Sequence, residues 1–572
     1  MADEFFSADL AFFMERRFDW ARYFALKRGD DVNTAEEVAT YKTVLTTAGE
    51  ICRDIADGAR EHWHEEVRLE DGRVIVPPHI QAGYDKLRAA GLVCLPISPQ
   101  YGGYGLPMVL NCVFIEMLAR ADPSLMTITG LQSGVAVDIE RYGSDAVKEQ
   151  YLSRFTSGEL QGAMDLTEPQ AGSDLGGIVT RATRDGDRYL VDGQKIFITN
   201  GGADVHLVLA REAATFEQSK GTTNGLSLIL VPKTLPDGRP NGMRVSRVES
   251  KLGIHGSPTC VVDFDQAEGV LIGTAGQGFR AMLDLMNNAR LGVAAQALGI
   301  AEAAYRAARA YASERRQFGG PIADQPLMKS MLTQMAINVQ AGRTLLYHTA
   351  SLVDTAVALR EYLASDRCPP EQRVTLQEEA ERTTSLVRFF TPLCKYYATE
   401  ISNHVTRQGI QAHGGLGYMA ESAAGHYHSD SIITTIYEGT SEIQASFALK
   451  EMGKGALFAA LDETRADLER LRERHPDLVR QVTDGIEWIQ NSLPALLPDA
   501  QYALLNAKRI CEMVIDVVVG VELLEQGNLW EDKLVLAASF IHRRMMAVQM
   551  NARRIATGDA TRIQRYDAIL RL

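Results

Sequence analysis

Several familiar signatures are missing from this chain. It has 48 glycines, yet neither G-x-x-x-x-G-K-S/T nor G-x-G-x-x-G occurs, so it is not a P-loop protein and lacks the nicotinamide-binding Rossmann fingerprint. No G-x-S-x-G elbow supports a hydrolase. No run reaches the roughly 18 apolar residues that span a bilayer, and even residues 291–301 are followed at once by Glu302, so no membrane span is expected. The seven cysteines contain no C-x-x-C pair and sum to an odd number, which disfavours a disulfide framework or a zinc cluster and makes them buried small hydrophobes. His62/His64 and His426/His428 stand two apart, a spacing that projects to opposite sides of a helix, so no metal site is expected. No Lys/Arg run of five or more occurs, and 59 basic against 73 acidic residues give a net charge of −14. A phosphate polymer repels such a chain, so no nucleic-acid partner is expected.

What is present is an ordinary globular composition, 46% hydrophobic and 23% charged, over 572 residues, enough for several packed units with a large core. The amino terminus carries Glu15, Arg16 and Arg17 before any adequate apolar stretch, which predicts a cytoplasmic chain. Apolar residues recur at helical spacing over 34–160, punctuated at Pro77-Pro78 and at 101–107. Short β-branched runs bounded by Gly, Asn, Asp or Pro follow at 188–193, 195–199, 205–210, 226–231 and 260–264. The helical period returns from Gly278, is interrupted at Pro369-Pro370, and continues beyond Gly455 through Leu461, Leu468, Val514, Val518, Ala537 and Ile541. The expected fold class is therefore α+β multidomain. Its segments are an N-terminal extension (1–39), a helical N-terminal domain (40–160), a central β domain (161–275), a C-terminal helical bundle (276–454) and a helical C-terminal extension (455–572).

Small-residue loops mark the element junctions at 167–174, 199–202, 318–321, 413–417 and 438–440. Each alone reads as a turn; together they place hydroxyls and backbone N–H groups beside glycines, the donors that a dinucleotide requires. Met164, Leu166 and Phe197, near Thr167 and Thr199, suit either a core or an apolar slot for a flat redox ring. Glu438 follows the apolar pair Ile432-Ile433. It is either a solvated surface group or a base at the mouth of an apolar segment.

The segments 165–174 (DLTEPQAGSD), 193–202 (GQKIFITNGG), 251–260 (KLGIHGSPTC), 290–292 (RLG), 314–322 (ERRQFGGPI), 411–418 (QAHGGLGY) and 436–444 (IYEGTSEIQ) occur in an order that resembles the acyl-CoA dehydrogenase family. The resemblance implies an N-terminal helical domain, a central β-barrel-like domain and a C-terminal four-helix bundle, with FAD as cofactor. It implies that Met164, Leu166, Thr167, Phe197 and Thr199 line the flavin and that Ser173 lies near the phosphates of FAD and acyl-CoA. Arg315, Gln317, Phe318, Gln325, Gln411, Gly414 and Gly415 match contacts made to FAD across a subunit boundary, which implies a homodimer or a dimer of dimers. Thr440 and Glu442 match further FAD contacts, and Asn287, Arg290 and Gly439 match the substrate side together with Ser173.

Glu438 matches the family base. It would take an α-proton from the acyl-CoA thioester while the β-hydride passes to flavin N5, giving the 2-enoyl-CoA in fatty acid metabolism. Its backbone N–H, with a ribityl hydroxyl of FAD, would stabilise the enolate-like oxygen. Some relatives supply the base from the 286–290 segment, but Ala289 stands there. Three further departures are noted: Asn287 replaces a usual Asp, Phe197 a usual Trp, and Ser429-Asp430 a usual Arg-Asp pair. The length resembles the long bacterial branch of the family, which suggests a short or medium acyl-CoA and electron-transfer flavoprotein as acceptor. The alternatives are an acyl-CoA oxidase using O2, a noncatalytic flavoprotein of the same fold, or a purely structural helical assembly protein.

Overall fold

The structure is a computed structural model that describes residues 4–29 and 31–571. The chain folds into two compact units that alternate along the sequence: Met1–Leu10, Thr40–Arg315 and Thr406–Thr434 make the first, and Ala11–Ala39, Arg316–Val405 and Thr435–Leu572 make the second.

At the heart of the first unit is a seven-stranded sheet. Strand Val205–Glu212 runs parallel to Arg181–Asp185, which pairs antiparallel with Arg188–Thr199. That strand pairs with Thr259–Ile272, then Leu226–Pro232, which returns to Val205–Glu212 and closes the ring. Closure removes the free edges that an open sheet exposes. Strands Gly162–Asp165 and Met243–Val248 add to Val205–Glu212 and Thr259–Ile272. Residues 205–211 are buried on both faces, which is why they read as one apolar run rather than an alternation. Val191, Ile198, Val208, Ile229, Val262 and Phe264 fill the core.

Helices of the same unit start where their caps dictate. Asp122 accepts the N–H groups of Ser124 and Leu125 to open Pro123–Tyr142, with Pro123 at the first position, and Ser144 caps Asp145–Thr156. Helix Met108–Ala121 lies close to Gly278–Glu314, because Gly299 carries no side chain: a Cβ there would stand 2.3 Å from the Glu116 carbonyl oxygen. One element departs from the all-helical reading of 34–160. Arg68–Glu70 and Arg73–Ile75 form a hairpin across Asp71-Gly72, both at positive φ (48° and 74°), the backbone that a tight two-residue turn needs.

In the second unit, Pro326–Ala364, Arg373–His413 up to Val405, and Ser441–Met452 contribute to the segment read as the bundle; helix Gly278–Glu314 of the first unit completes that segment in sequence. The extension adds Ala456–Leu471, Pro476–Leu496, Ala507–Leu529 and Asp532–Ala556. Val514, Val518, Val521, Ala537 and Ile541 are buried there, as their helical spacing predicts. The seven cysteines are buried and free, and burial pushes the thiols of Cys52 and Cys394 up to about 12.

Aromatic residues between Phe12 and Phe24 of the N-terminal extension pack inside this unit. Phe12 meets Trp530, Phe13 meets Tyr347, Trp20 stacks on Phe24, and the Trp20 indole donates to the Met14 carbonyl at 2.7 Å. Arg17 pairs with Glu522 and Glu525, while His348 Nδ1 stands 3.1 Å from Glu522. Burial alone would raise the Glu522 carboxyl, but Arg17 and His348 outweigh it and hold the group at about 2. Burial lowers His348, and Glu522 more than reverses that, so its value lies above the ordinary 6.5. The sign of the pH effect follows. The Glu522 contribution is present above its ordinary 4.5 and is lost as pH falls toward about 2. The His348 contribution is complete below 6.5 and is lost as pH rises through its raised value. Thermal unfolding from pH 5.5 to 8.5 is therefore expected to show a decline in wild type that His348→Gln removes; an unchanged slope in that variant refutes the assignment.

Candidate active site

In the first unit, the end of strand Gly162–Asp165 and the strand Arg188–Thr199 build one surface. The Thr167 carbonyl accepts the Ile196 N–H at 2.9 Å, so the loop carrying Leu166 and Thr167 lies beside Phe197. On the partner strand Lys195 faces Val262 and Ile198 faces Cys260, so Ile196 and Phe197 together oppose a single residue. This bulge puts Phe197 at φ +58° with 60% of it exposed, although Ile198 beside it is buried. A bulky residue held left-handed and turned outward is costly and marks a functional surface more often than a structural one. Asn200, also left-handed at φ +55°, is anchored by its side chain on the Gln161 side chain and the Gly162 carbonyl. Met164 and Leu166 are buried, and Thr167 and Thr199 are half-buried.

Under this surface sits a group of buried charges. Lys195 is fully enclosed and donates to the Glu168 carboxylate and to the carbonyls of Leu166 and Leu209, each at 2.8 Å. Glu168 also accepts the Val179 and Thr180 N–H groups. Burial would raise this carboxyl, but the Lys195 charge and these donors bring it below its ordinary value, while burial lowers the Lys195 ammonium against the pull of Glu168. A peptide unit is planar and trans, so tying the Leu166 carbonyl to Lys195 sends the Thr167 N–H the opposite way. Arg211, also fully buried, spends its donors on the carbonyls of Gly176, Ile178, Ser219, Thr222 and Asn224 and on the Ser219 hydroxyl. It ties together the loops at 176–178 and 219–224; Ser173 lies exposed just before the first of them.

On helix Gly278–Glu314, Arg290 is buried and its Nη1 donates to the Asn287 side-chain oxygen at 2.9 Å. The Asn in place of Asp therefore keeps the hydrogen bond and gives up the ion pair. Asp430 accepts the Ile254 N–H, and burial pushes its carboxyl up to about 7, against which the nearby Lys251 acts. Lys251 donates to the Ser257 carbonyl at 2.8 Å. The two backbones meet closely, since a Cβ on Gly253 would stand 2.5 Å from the Ser429 carbonyl carbon. Arg315, Gln411, Gly414 and Gly415 are exposed, and Tyr311 stacks on His413 with ring centroids 4.6 Å apart.

In the second unit, Glu438 occupies the turn before helix Ser441–Met452, at φ +54°, half-buried, followed by Gly439 at φ +95°. Thr440 caps the helix through the Ile443 N–H. Glu442 is exposed and pairs with Lys508 of the extension, which holds its carboxyl below the ordinary value. Strands Arg316–Gln317 and Gly320–Pro321 form a hairpin whose tip carries Phe318 at φ +52°, 89% exposed, with Gln325 half-buried beyond it. Phe197, Phe318 and Glu438 were all selected from the sequence, and all three are held in the left-handed region.

The residues of the first unit fit a flat ring. The exposed Phe197 ring has no aromatic partner among the described residues, and the half-buried Thr167 and Thr199 lie on the neighbouring loop and on its own strand. No group of three metal-ligating side chains occurs among the described residues; His426 contacts the Ala420 carbonyl and His428 the Thr406 hydroxyl. A hollow of about 500 Å³ lined by Glu212, Thr215, Gln218, Thr222 and Asn224 among others contains none of the sequence-selected residues. Lys195, Glu168, Lys395 and Gln444 received no role from sequence reasoning. Lys395 offered a signal, a charge within an apolar run between Cys394 and Tyr396; Lys195, Glu168 and Gln444 offered none of that kind.

Family profiles match most of the chain: the acyl-CoA dehydrogenase N-terminal domain over 46–159, the middle domain over 163–267 and the C-terminal domain over 276–365 and 370–453. The chain belongs to the acyl-CoA dehydrogenase family and is an FAD-dependent enzyme of that class. The 3-methylmercaptopropionyl-CoA dehydrogenase of Ruegeria pomeroyi is 34% identical over 459 residues, covering 77% of this chain and 74% of its own. Butyryl-CoA dehydrogenase from Megasphaera elsdenii has a similar structure, with a TM-score of 0.59 at 29% identity over 71% of this chain and 96% of its own. ACDH-11 of Caenorhabditis elegans, solved in complex with C11-CoA, shares the fold over 93% of this chain and 91% of its own, with a TM-score of 0.76 at 19% identity. That last likeness reaches well beyond the profile matches, so the helical extension belongs to a fold seen elsewhere. No helix among the described residues is long and apolar enough to cross a membrane.

Proposed function

We propose that this acyl-CoA dehydrogenase converts a short or medium acyl-CoA to the 2-enoyl-CoA with Glu438 as the base. The observation that carries the reading is the Glu438 turn, in which a half-buried carboxylate is held on left-handed backbone. Its carboxylate takes the α-proton, and its backbone N–H donates to the thioester oxygen as negative charge gathers there. Bound FAD supplies the acceptor for the β-hydride. Met164, Leu166, Thr167, Phe197 and Thr199 hold the ring, and Ser173, Arg315, Gln317, Phe318, Gln325, Gln411, Gly414, Gly415, Thr440 and Glu442 hold the rest of the cofactor, partly across a dimer. Arg290 and Asn287, already joined by a hydrogen bond, face the CoA together with Ser173 and Gly439. The five-segment division at 39, 160, 275 and 454 is our reading of the domain organisation.

The chain-length preference rests on the likeness to an enzyme named for a short thioether acyl-CoA. Electron-transfer flavoprotein is the proposed acceptor. Mixing the purified holoenzyme anaerobically with a panel of C4 to C16 acyl-CoA thioesters and 3-methylmercaptopropionyl-CoA is expected to bleach the flavin fastest with the short members. Slow reoxidation in air is expected of a dehydrogenase, whereas rapid reoxidation identifies an oxidase. A panel that bleaches nothing refutes the reading.

A further inference from the structure

The turn that carries Glu438 is gripped from behind by two side chains with no assigned role. Lys395, on helix Arg373–His413, is wholly enclosed, and its Nζ donates to the Gly439 carbonyl at 2.8 Å. Gln444, one turn into helix Ser441–Met452, is also wholly enclosed. Its Nε2 donates to the Glu438 carbonyl at 2.8 Å and to the Gly439 carbonyl at 3.2 Å. Two consecutive carbonyls are thus drawn to one side by an ammonium and an amide.

An ammonium inside an apolar run is costly to bury unless its protons find acceptors, and a Leu or Met fills similar space without that cost. The bond to Gly439 is charge-assisted, the stronger kind. Rotating Glu438 from φ +54° to an ordinary negative φ swings its own carbonyl and the following peptide away from both donors. The donors therefore select the left-handed state, and that state fixes the direction in which the carboxylate leaves the backbone. Gly439 completes the arrangement: a Cβ there would stand 2.6 Å from Gln444 Nε2, and at φ +95° the position suits glycine.

We propose that Lys395 and Gln444 are positioning residues for the Glu438 base, acting through the carbonyls of Glu438 and Gly439. The proposal rests on the reading of Glu438 given above. Because they act on the direction of the carboxylate, they set the rate of proton removal and leave binding of the acyl-CoA alone. A misplacement on the order of 1 Å of a reacting group costs about 100-fold in rate.

The test uses holoenzyme variants Lys395→Met and Gln444→Leu in anaerobic stopped flow with butyryl-CoA, or with whichever panel member bleaches wild type fastest. Each is expected to keep its FAD and a half-saturation concentration within about threefold of wild type while the limiting bleaching rate falls about 100-fold. A limiting rate within threefold of wild type in both variants overturns the proposal. So does a loss confined to half-saturation. If Lys395→Met fails to fold, Gln444→Leu decides alone. Glu438→Gln is run beside them. Bleaching in Glu438→Gln refutes the base itself, whereas a dead Glu438→Gln with normal Lys395→Met and Gln444→Leu refutes only the clamp.

Discussion

Replacing Glu438 with Gln is expected to leave the FAD content unchanged and to cut anaerobic flavin bleaching by acyl-CoA about 10⁴-fold, the upper end of what a positioned base contributes. The amide is nearly isosteric and keeps the backbone N–H, so binding of the thioester should change little. Loss of rate without loss of cofactor or affinity separates the removed proton acceptor from a damaged pocket. Helix Gly278–Glu314 offers no second carboxylate at Ala289, so no rescue is expected from there. A bleaching rate within tenfold of wild type would place the base elsewhere.

The second large effect concerns stability. Lys195→Met is expected to destabilise the β-rich unit by about 3–5 kcal/mol, because it leaves the Glu168 carboxylate enclosed without its cation. Urea unfolding followed by circular dichroism would measure it. The double variant Glu168→Gln, Lys195→Met should recover part of the loss, since replacing both partners removes the uncompensated charge. The single variant should also release flavin more readily, because the Leu166 carbonyl loses the bond that turns the Thr167 N–H outward. A single variant as stable as wild type would show that the pair is replaceable by packing.

Much of the fold was legible because its segments combine local turn chemistry with apolar periodicity. The strands at 205–210 and 226–231, the helical return at Gly278 and the break at Pro369-Pro370 are all read from neighbours in sequence, and they stand where expected. The hairpin across Asp71-Gly72 was hidden because two three-residue strands vanish inside a long stretch of helical spacing. The outward turn of Phe197 depends on a bulge against residues more than sixty positions away, and no local pattern encodes it. Lys195 looks like an ordinary surface lysine until distant strands close over it. The docking of the aromatic N-terminal segment depends on partners such as Trp530, over five hundred residues along the chain.

That docking makes the two ends of the protein a single part. Arg17 finds its carboxylates at Glu522 and Glu525, Arg16 its carbonyl at Leu529, and Phe12 its ring at Trp530, all in the extension. Cutting the chain back to the length of a shorter relative would therefore strip the cover from Phe12 and Phe13 as well. The product would be a sticky, half-dressed molecule rather than a compact ancestor, and the extra residues at both ends must be kept or discarded together.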